Sequence, residues 1–276
     1  MVNVYEMVRE RIISSLSSGT IPWHQSWKNL SPCNLLTGRP YRGINRLLLS
    51  GHEWWGTYRQ IKQLGGYVRK GEKASGLVVF WSFEEARPIV NDQGDEVLVM
   101  SQREKPLVRY YWVFNLSQCE GIKKEEVGEV RAITSCDEVI ERNCPKVTPG
   151  PPAYLPAADI IHMPEMERFE SPEEYYSTYF HELTHWTGHE SRLKRPGITG
   201  PIRFGSEKYS REELTAEMGS AFLCAMTGID MPVIDNQAAY VAGWLRHIRN
   251  GTAVDVIRAA GDAQRAADFL TGGGEE

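Results

Sequence analysis

The chemistry in this sequence concentrates at positions 180–186, which read Phe-His-Glu-Leu-Thr-His-Trp. A helix turns about 100° per residue, so side chains four apart lie on one face. If this stretch is helical, His181 and His185 aim two imidazoles at one point, and Glu182 sits beside the first of them. This His-Glu-x-x-His spacing is the zinc-hydrolase arrangement: two neutral nitrogen ligands, a general base and an open coordination position. The residues around the pair (Leu183, Thr184, Trp186, Thr187) are uncharged and offer no competing ligand.

A third ligand is needed. A metzincin places a histidine six residues after the second one, but position 191 is Ser191. His189 shares the face, yet two helical turns separate it from His181, about 12 Å at roughly 1.5 Å per residue, too far to close the site without breaking the helix. The better source is a second helix over 210–223, with Ser210 as its cap and Glu213 at the capping-box position. Glu213 and Glu217 share a face of that helix, while Leu214, Met218, Ala221 and Phe222 pack it against the first. Two carboxylates on a half-buried face are costly without a cation. By analogy with zincins that use a glutamate ligand, Glu213 is the ligand and Glu217 orients a first-helix histidine from behind, with the swapped assignment left open. Tyr209 could donate a hydrogen bond to an oxyanion, or simply pack. Zn2+ is the expected ion, and Mn2+ or another divalent metal is compatible with the same ligands.

The elements that must position these groups are legible around them. Ser171 caps the first helix, Pro172 takes its first position, Glu174 completes a capping box and Gly188 ends it. A proline-rich turn leads into a strand over 159–164, expected to border the cleft and to pair with an extended peptide. His162 on that strand reads as structural. The segment 195–205 reads as a flexible loop able to cover the site. Two further helices, starting near Asp235 and at Thr252, close the chain, and the tail 271–276 is expected to be disordered.

The first half has a different character. The net charge of −5 divides into +7 for residues 1–80 and −12 for the rest, an asymmetry that suggests a polyanionic partner for the first part. After an amphipathic helix over 4–16, turn-rich backbone interleaves aromatic and basic groups: Trp23, Trp27 and Lys28, then Arg39, Tyr41, Arg42, Asn45 and Arg46, then Arg69, Lys70 and Lys73. Arginines pair with phosphates and exposed aromatics stack on unpaired bases, so this set reads as a single-stranded DNA surface. Helices are expected over 45–50 and 54–64. Strands are expected over 76–83 and 107–115, with a hairpin between them at 88–100. Phe80, Trp81, Tyr111 and Phe114 on those strands read as core. The fold class is α+β with two domains: an N-terminal α+β DNA-binding domain (1–125) and a C-terminal, mostly helical metallopeptidase domain (131–270).

No apolar run is long enough to span a membrane, and the N-terminus has no basic start followed by an apolar block. Five cysteines, odd in number and without a Cys-x-x-Cys pair, fit reduced thiols in the cytoplasm.

The segments 21–27 (IPWHQSW), 34–45 (NLLTGRPYRGIN), 64–74 (LGGYVRKGEKA), 180–193 (FHELTHWTGHESRL) and 209–223 (YSREELTAEMGSAFL) together resemble the ArdC antirestriction proteins of conjugative plasmids and phages. The N-terminal part is also similar to the N-terminal region of TraC-type plasmid primases. The resemblance implies a single-stranded-DNA-binding domain, a zincin-like metallopeptidase domain and a role in protecting incoming DNA from host restriction. It also implies an unidentified protein or peptide substrate, possibly a restriction-system component. Residues 87–105 look like a variable hairpin insertion. Two alternatives stay open: a non-catalytic DNA-binding protein whose metal is structural, and a peptidase whose basic half binds an acidic protein.

Overall fold

The computed structural model describes residues 3–24, 32–49, 51–90, 96–124, 135–200, 207–231 and 237–273, with backbone alone at 81–90, 96–107 and 207–209. The N-terminal helix α1 (Val4–Ser17) is capped by Asn3, whose side chain accepts from Tyr5 N, and it buries Val8, Ile12 and Leu16. Short β1 (Cys33–Asn34), α2 (Ile44–Leu48) and β2 (Trp54–Gly56) follow. The helix expected over 54–64 begins only at α3 (Tyr58–Gln63). The Thr57–Gln60 capping box starts it there, and the two tryptophans before it join the sheet. After β3 (Tyr67–Val68), β4 (Gly76–Val90) and β5 (Glu96–Asn115) form one long antiparallel ribbon in place of the separate strands and hairpin expected. The main sheet runs β1-β2-β5-β4, and β3 pairs with β6 (Cys119–Glu120). Gly76 is needed where the ribbon crosses Trp55: a Cβ there would lie 2.6 Å from the indole.

The second half opens with α4 (Cys136–Asn143) and a three-stranded sheet. Its order is β7 (Lys146–Pro149), β9 (Ile160–Met163), β8 (Ala153–Leu155). The strand expected to border the cleft and pair with an extended peptide, β9, is central in this sheet, because the proline-rich segment folds back as β7 and β8 on its two sides. Helix α5 (Pro172–Thr187) is capped by Ser171 as expected. A short helix, α6 (Pro196–Thr199), occupies part of the expected loop. Helix α7 spans Glu207–Thr227, so Ser210 lies inside its first turn and is not its cap. Helices α8 (Gln237–Asn250) and α9 (Ala253–Thr271) complete the chain, α9 with the Thr252–Asp255 capping box.

One core runs through both halves. Val8, Ile12, Trp23 and Leu77 belong to the same buried cluster as Phe180, Leu183, Phe222 and Val256. At its centre α5 crosses α7 through small groups. A Cβ at Gly219 would meet the Thr184 side chain at 2.5 Å, and Ser220 Oγ donates to Ser177 O at 2.7 Å. A smaller cluster of Tyr41, Leu49, Trp55, Val78 and Val113 backs the other face of the ribbon. None of the five cysteines is in a disulfide, and no helix among the described residues is long and apolar enough to cross a membrane.

Trp23 is fully buried, edge-on to Trp244 at 5.7 Å between ring centroids. Trp23→Ala should therefore cost about 3–5 kcal/mol of unfolding free energy. Urea denaturation measures this, and a cost within roughly 0.5 kcal/mol would mark a surface residue instead.

Candidate metal centre

Helix α5 carries His181 and His185 one turn apart, and α7 brings Glu213 against them. One ligand atom from each of the three lies within 4.8 Å of the others. The two Nε2 atoms are 3.2 Å apart, and Glu213 oxygens lie 3.6 Å from His181 Nε2 and 3.7 Å from His185 Nε2. Two nitrogens each about 2.0–2.1 Å from one tetrahedral ion sit about 3.3 Å apart, so the spacing fits a shared divalent ion. Of the three ligand candidates, His185 is buried and the other two are partly buried. Burial disfavours a charged His181, but the Glu213 carboxylate, helped by Glu217 and Glu182, outweighs it and raises the imidazole above its ordinary range.

Glu182, the expected base, is buried, and its Oε2 accepts the Tyr154 backbone N–H at 2.7 Å. That N–H lies on β8, held in place by the Tyr154 side chain. The Tyr154 hydroxyl donates to Asp159 Oδ1 at 2.9 Å, and Arg192 Nη1 donates to Asp159 Oδ2 at 3.0 Å. Arg192 in turn stacks 3.7 Å over Trp186 and donates from Nε to Trp186 O, joining the β8–β9 turn to the end of α5. His189 lies outside the three-residue cluster, bonded through Nδ1 to Ser191 Oγ at 2.8 Å.

Glu217 Oε2 accepts from the Tyr240 hydroxyl at 2.8 Å, and its charge acts on His181. The carboxylate that meets His185 belongs to Glu212, whose Oε1 is 3.2 Å from His185 Nδ1. Sequence reasoning missed Glu212. Its only signal was its place beside Glu213, and the buried Arg195 that holds it comes from a stretch read as a loop. Burial raises the Glu212 carboxyl, but the bonds from His185 and Arg195 outweigh that and leave it below the ordinary carboxylate range. The Tyr209 side chain, and Trp27 and Lys28, lie outside the described residues.

Several residues expected to contact DNA are structural instead. Trp23 donates from Nε1 to the Tyr240 hydroxyl, deep in the core, because its turn packs against α8. Tyr41 is buried in the smaller cluster, its hydroxyl accepting from Asn34 Nδ2. Asn45 clamps the backbone N–H and C=O of Val79 at 2.8 Å each. Arg46 is buried 4.8 Å over the Phe222 ring, and burial lowers its pKa to about 10. Arg39, Arg42, Arg69, Lys70 and Lys73 are exposed, with Arg42 paired to Asp268 and Arg69 paired to Glu72 at 2.9 Å.

The ribbon shows the reverse departure. Phe80 is 52% exposed and Tyr111 43%, where core positions were expected, and the two rings meet edge-on at 5.8 Å. Both lie on the face that also carries Val78 and Arg109, since Val78 pairs with Tyr111 and Phe80 with Arg109. Tyr110 and Trp112 are exposed on the opposite face.

Residues 2–114 match the family model for the N-terminal domain of anti-restriction factor ArdC, and residues 146–262 match a model for a zincin-like metallopeptidase. Among curated proteins the chain is similar to two DNA primases TraC of Escherichia coli. Each is 35% identical over 291 residues, covering 96% of this chain but 27% and 20% of theirs. The chain thus spans about a quarter or less of the length of those relatives. It is 33% identical to the uncharacterized protein y4eC of Sinorhizobium fredii, over 97% of this chain and 91% of that one. Crystal structures of the antirestriction ArdC protein from plasmid R388 share the fold end to end. The metal-free form has a TM-score of 0.75 at 35% identity, covering 100% of both chains. The Mn(II)-bound form has a TM-score of 0.76 at 34% identity, covering 99% of this chain and 98% of that one.

The network behind Glu182 depends on pH. The Arg192 hydrogen bond, against the opposing effect of burial and with help from Tyr154, holds Asp159 below the ordinary aspartate range. Its stabilisation is present above the unfolded pKa of about 3.9 and is lost as pH falls through the lower folded value. Asp159 has a φ of 52°, a backbone region that asparagine also tolerates. Asp159→Asn should therefore lower the Tm at neutral pH, with the gap to wild type closing below about pH 4, read from thermal unfolding between about pH 6 and pH 3.

Proposed function

The chain belongs to the ArdC antirestriction family, and from that premise we propose that it binds single-stranded DNA and carries a working metallopeptidase site that protects incoming plasmid or phage DNA from host restriction. The convergence of His181, His185 and Glu213 with Glu182 buried beside them carries this reading. A divalent ion held by those three, zinc or manganese, supplies a Lewis acid and an acidified water. Glu182 is suited to move the proton. With Oε2 held by the Tyr154 N–H, Oε1 is the oxygen left to take a proton and later return it to a leaving amine. The substrate is a protein or peptide, for which a restriction-system component is the first candidate, and the site of action is the cytoplasm.

A purely structural metal is the second reading. It is disfavoured because α5 and α7 are already joined where Gly219 meets Thr184 and Ser220 meets Ser177. A tie between those helices has little left to hold, whereas a buried glutamate beside the site is what hydrolysis needs.

For DNA, the exposed Phe80–Tyr111 pair with Arg109 offers aromatic faces beside a cation. The exposed Arg39, Lys70 and Lys73 add positive charge in the same half. Stacking on unpaired bases tolerates any sequence. The TraC proteins are named DNA primases and the R388 protein an antirestriction factor, so both kinds of relative are named for acts on DNA.

Plasmid establishment in a restricting host, with Glu182→Gln shown to be folded and metal-loaded, tests the catalytic part. Protection should fall to the level of cells lacking the protein, as removing a general base typically costs about 100- to 10,000-fold in rate. Full protection by the variant would move the role to DNA binding alone. In fluorescence anisotropy with a short labelled oligothymidylate, Phe80→Ala and Tyr111→Ala should each weaken binding by about 1–3 kcal/mol. Unchanged affinity in both would clear that surface.

A further inference from the structure

Resting on the metal reading above, we infer that Glu212 is the positioning residue of the site: its carboxylate accepts the His185 Nδ1–H and so fixes the His185 Nε2 lone pair toward the shared ion. The distances are direct. Glu212 Oε1 lies 3.2 Å from His185 Nδ1, and His185 Nε2 lies 3.2 Å from His181 Nε2. A neutral imidazole has one N–H and one lone pair, so an acceptor at Nδ1 decides which nitrogen is the ligand.

The carboxylate is itself fixed. Arg195 Nη2 donates to Glu212 Oε1 at 2.7 Å, and Arg195 Nε donates to Oε2 at 3.0 Å. Arg195 also donates from Nη2 to Thr184 O at 2.6 Å and from Nη1 to Thr187 Oγ1 at 2.7 Å, which seats it on the last turn of the histidine helix. Both charged residues are buried. Two glycines close the backbone round them. A Cβ at Gly197 would lie 2.7 Å from Glu212 Cβ, and one at Gly188 would lie 2.9 Å from Arg195 Nη2. An ion pair serving only stability would need no third partner, yet Oε1 is shared with the histidine. Glu217, the residue four beyond Glu213, is held by the Tyr240 hydroxyl instead.

The test uses the full chain and two readouts besides activity: the His185 tautomer by long-range ¹H–¹⁵N NMR of the metal-free protein, and Co(II) affinity by visible absorption. Wild type should show a single Nδ1–H tautomer at His185. Glu212→Gln should show a mixture and bind Co(II) about 10- to 100-fold more weakly, as outer partners of ligating histidines do. Glu217→Gln should leave the His185 tautomer as in wild type. A Glu212→Gln variant with the wild-type tautomer and affinity overturns the inference, as does loss of the tautomer in Glu217→Gln. If Glu212→Gln does not fold, Arg195→Lys loosens the same carboxylate without deleting it. A single tautomer with undiminished Co(II) binding in that variant also overturns the inference. Wild type that binds no Co(II) defeats the metal reading alone, and the tautomer then decides the role of Glu212.

Discussion

Everything at the metal centre depends on how closely α5 and α7 approach. The two histidines are on one helix while Glu212, Glu213 and Glu217 are on the other, so no local sequence rule brings them together. The approach is set where Gly219 leaves room for Thr184, a contact that any Cβ would push to 2.5 Å. Thr184 sits in the turn between the two histidines, and Gly219 lies between Glu217 and the buried Phe222. Separating the helices by the width of one methyl group would move Glu213 away from both Nε2 atoms at once. Interiors packed at crystal-like density transmit such shifts and do not absorb them.

The same region joins the two halves of the chain. Trp23, from the first half, donates to the Tyr240 hydroxyl, and that hydroxyl donates to Glu217. Glu217 in turn acts on His181 by its charge. The buried cluster runs without a break from α1 through α5, α7 and α9. A two-domain description holds for the sequence families matched, but the halves share one interior. Substitutions in the first half can therefore reach the metal centre through packing alone, and a loss of function at Trp23 or Tyr41 is not by itself evidence of DNA contact.

Much of the site could be read from the sequence because its signals are local. A cap at Ser171, a proline behind it and a four-residue histidine spacing specify α5 with no tertiary information. Helix periodicity put Glu213 and Glu217 on one face, and analogy with glutamate-ligand zincins chose Glu213 between them. Neither reached Glu212, because adjacent residues on a helix point about 100° apart and only the position of Arg195 shows which way matters. The sheet misled for a related reason. Residues 76–83 are apolar or aromatic at almost every position, so alternation could not say which face meets the core or where the core ends along the ribbon. Phe80 and Tyr111 are exposed although they share a ribbon face with buried Val78, whereas Trp23 and Tyr41, in turn-rich backbone with a surface composition, are buried by elements far away in sequence.

The charge inventory gives an independent reason for a cation. Glu182, Glu212, Glu213 and Glu217 surround two histidines, and Arg195 is the buried cation that pairs with one of those four carboxylates. With Glu212 paired to Arg195, the carboxyl groups of Glu182, Glu213 and Glu217 still lie in a partly buried space, where a cation lowers the cost of burying them. The raised His181 shows the pull of Glu213, Glu217 and Glu182 on a proton at that imidazole, against the opposing effect of burial. A divalent ion held by the cluster would use the same nitrogen that the proton would occupy. Proton and metal would therefore compete for one lone pair, so acid should weaken metal binding. The carboxylates that pull a proton toward His181 would pull a divalent cation to the same place.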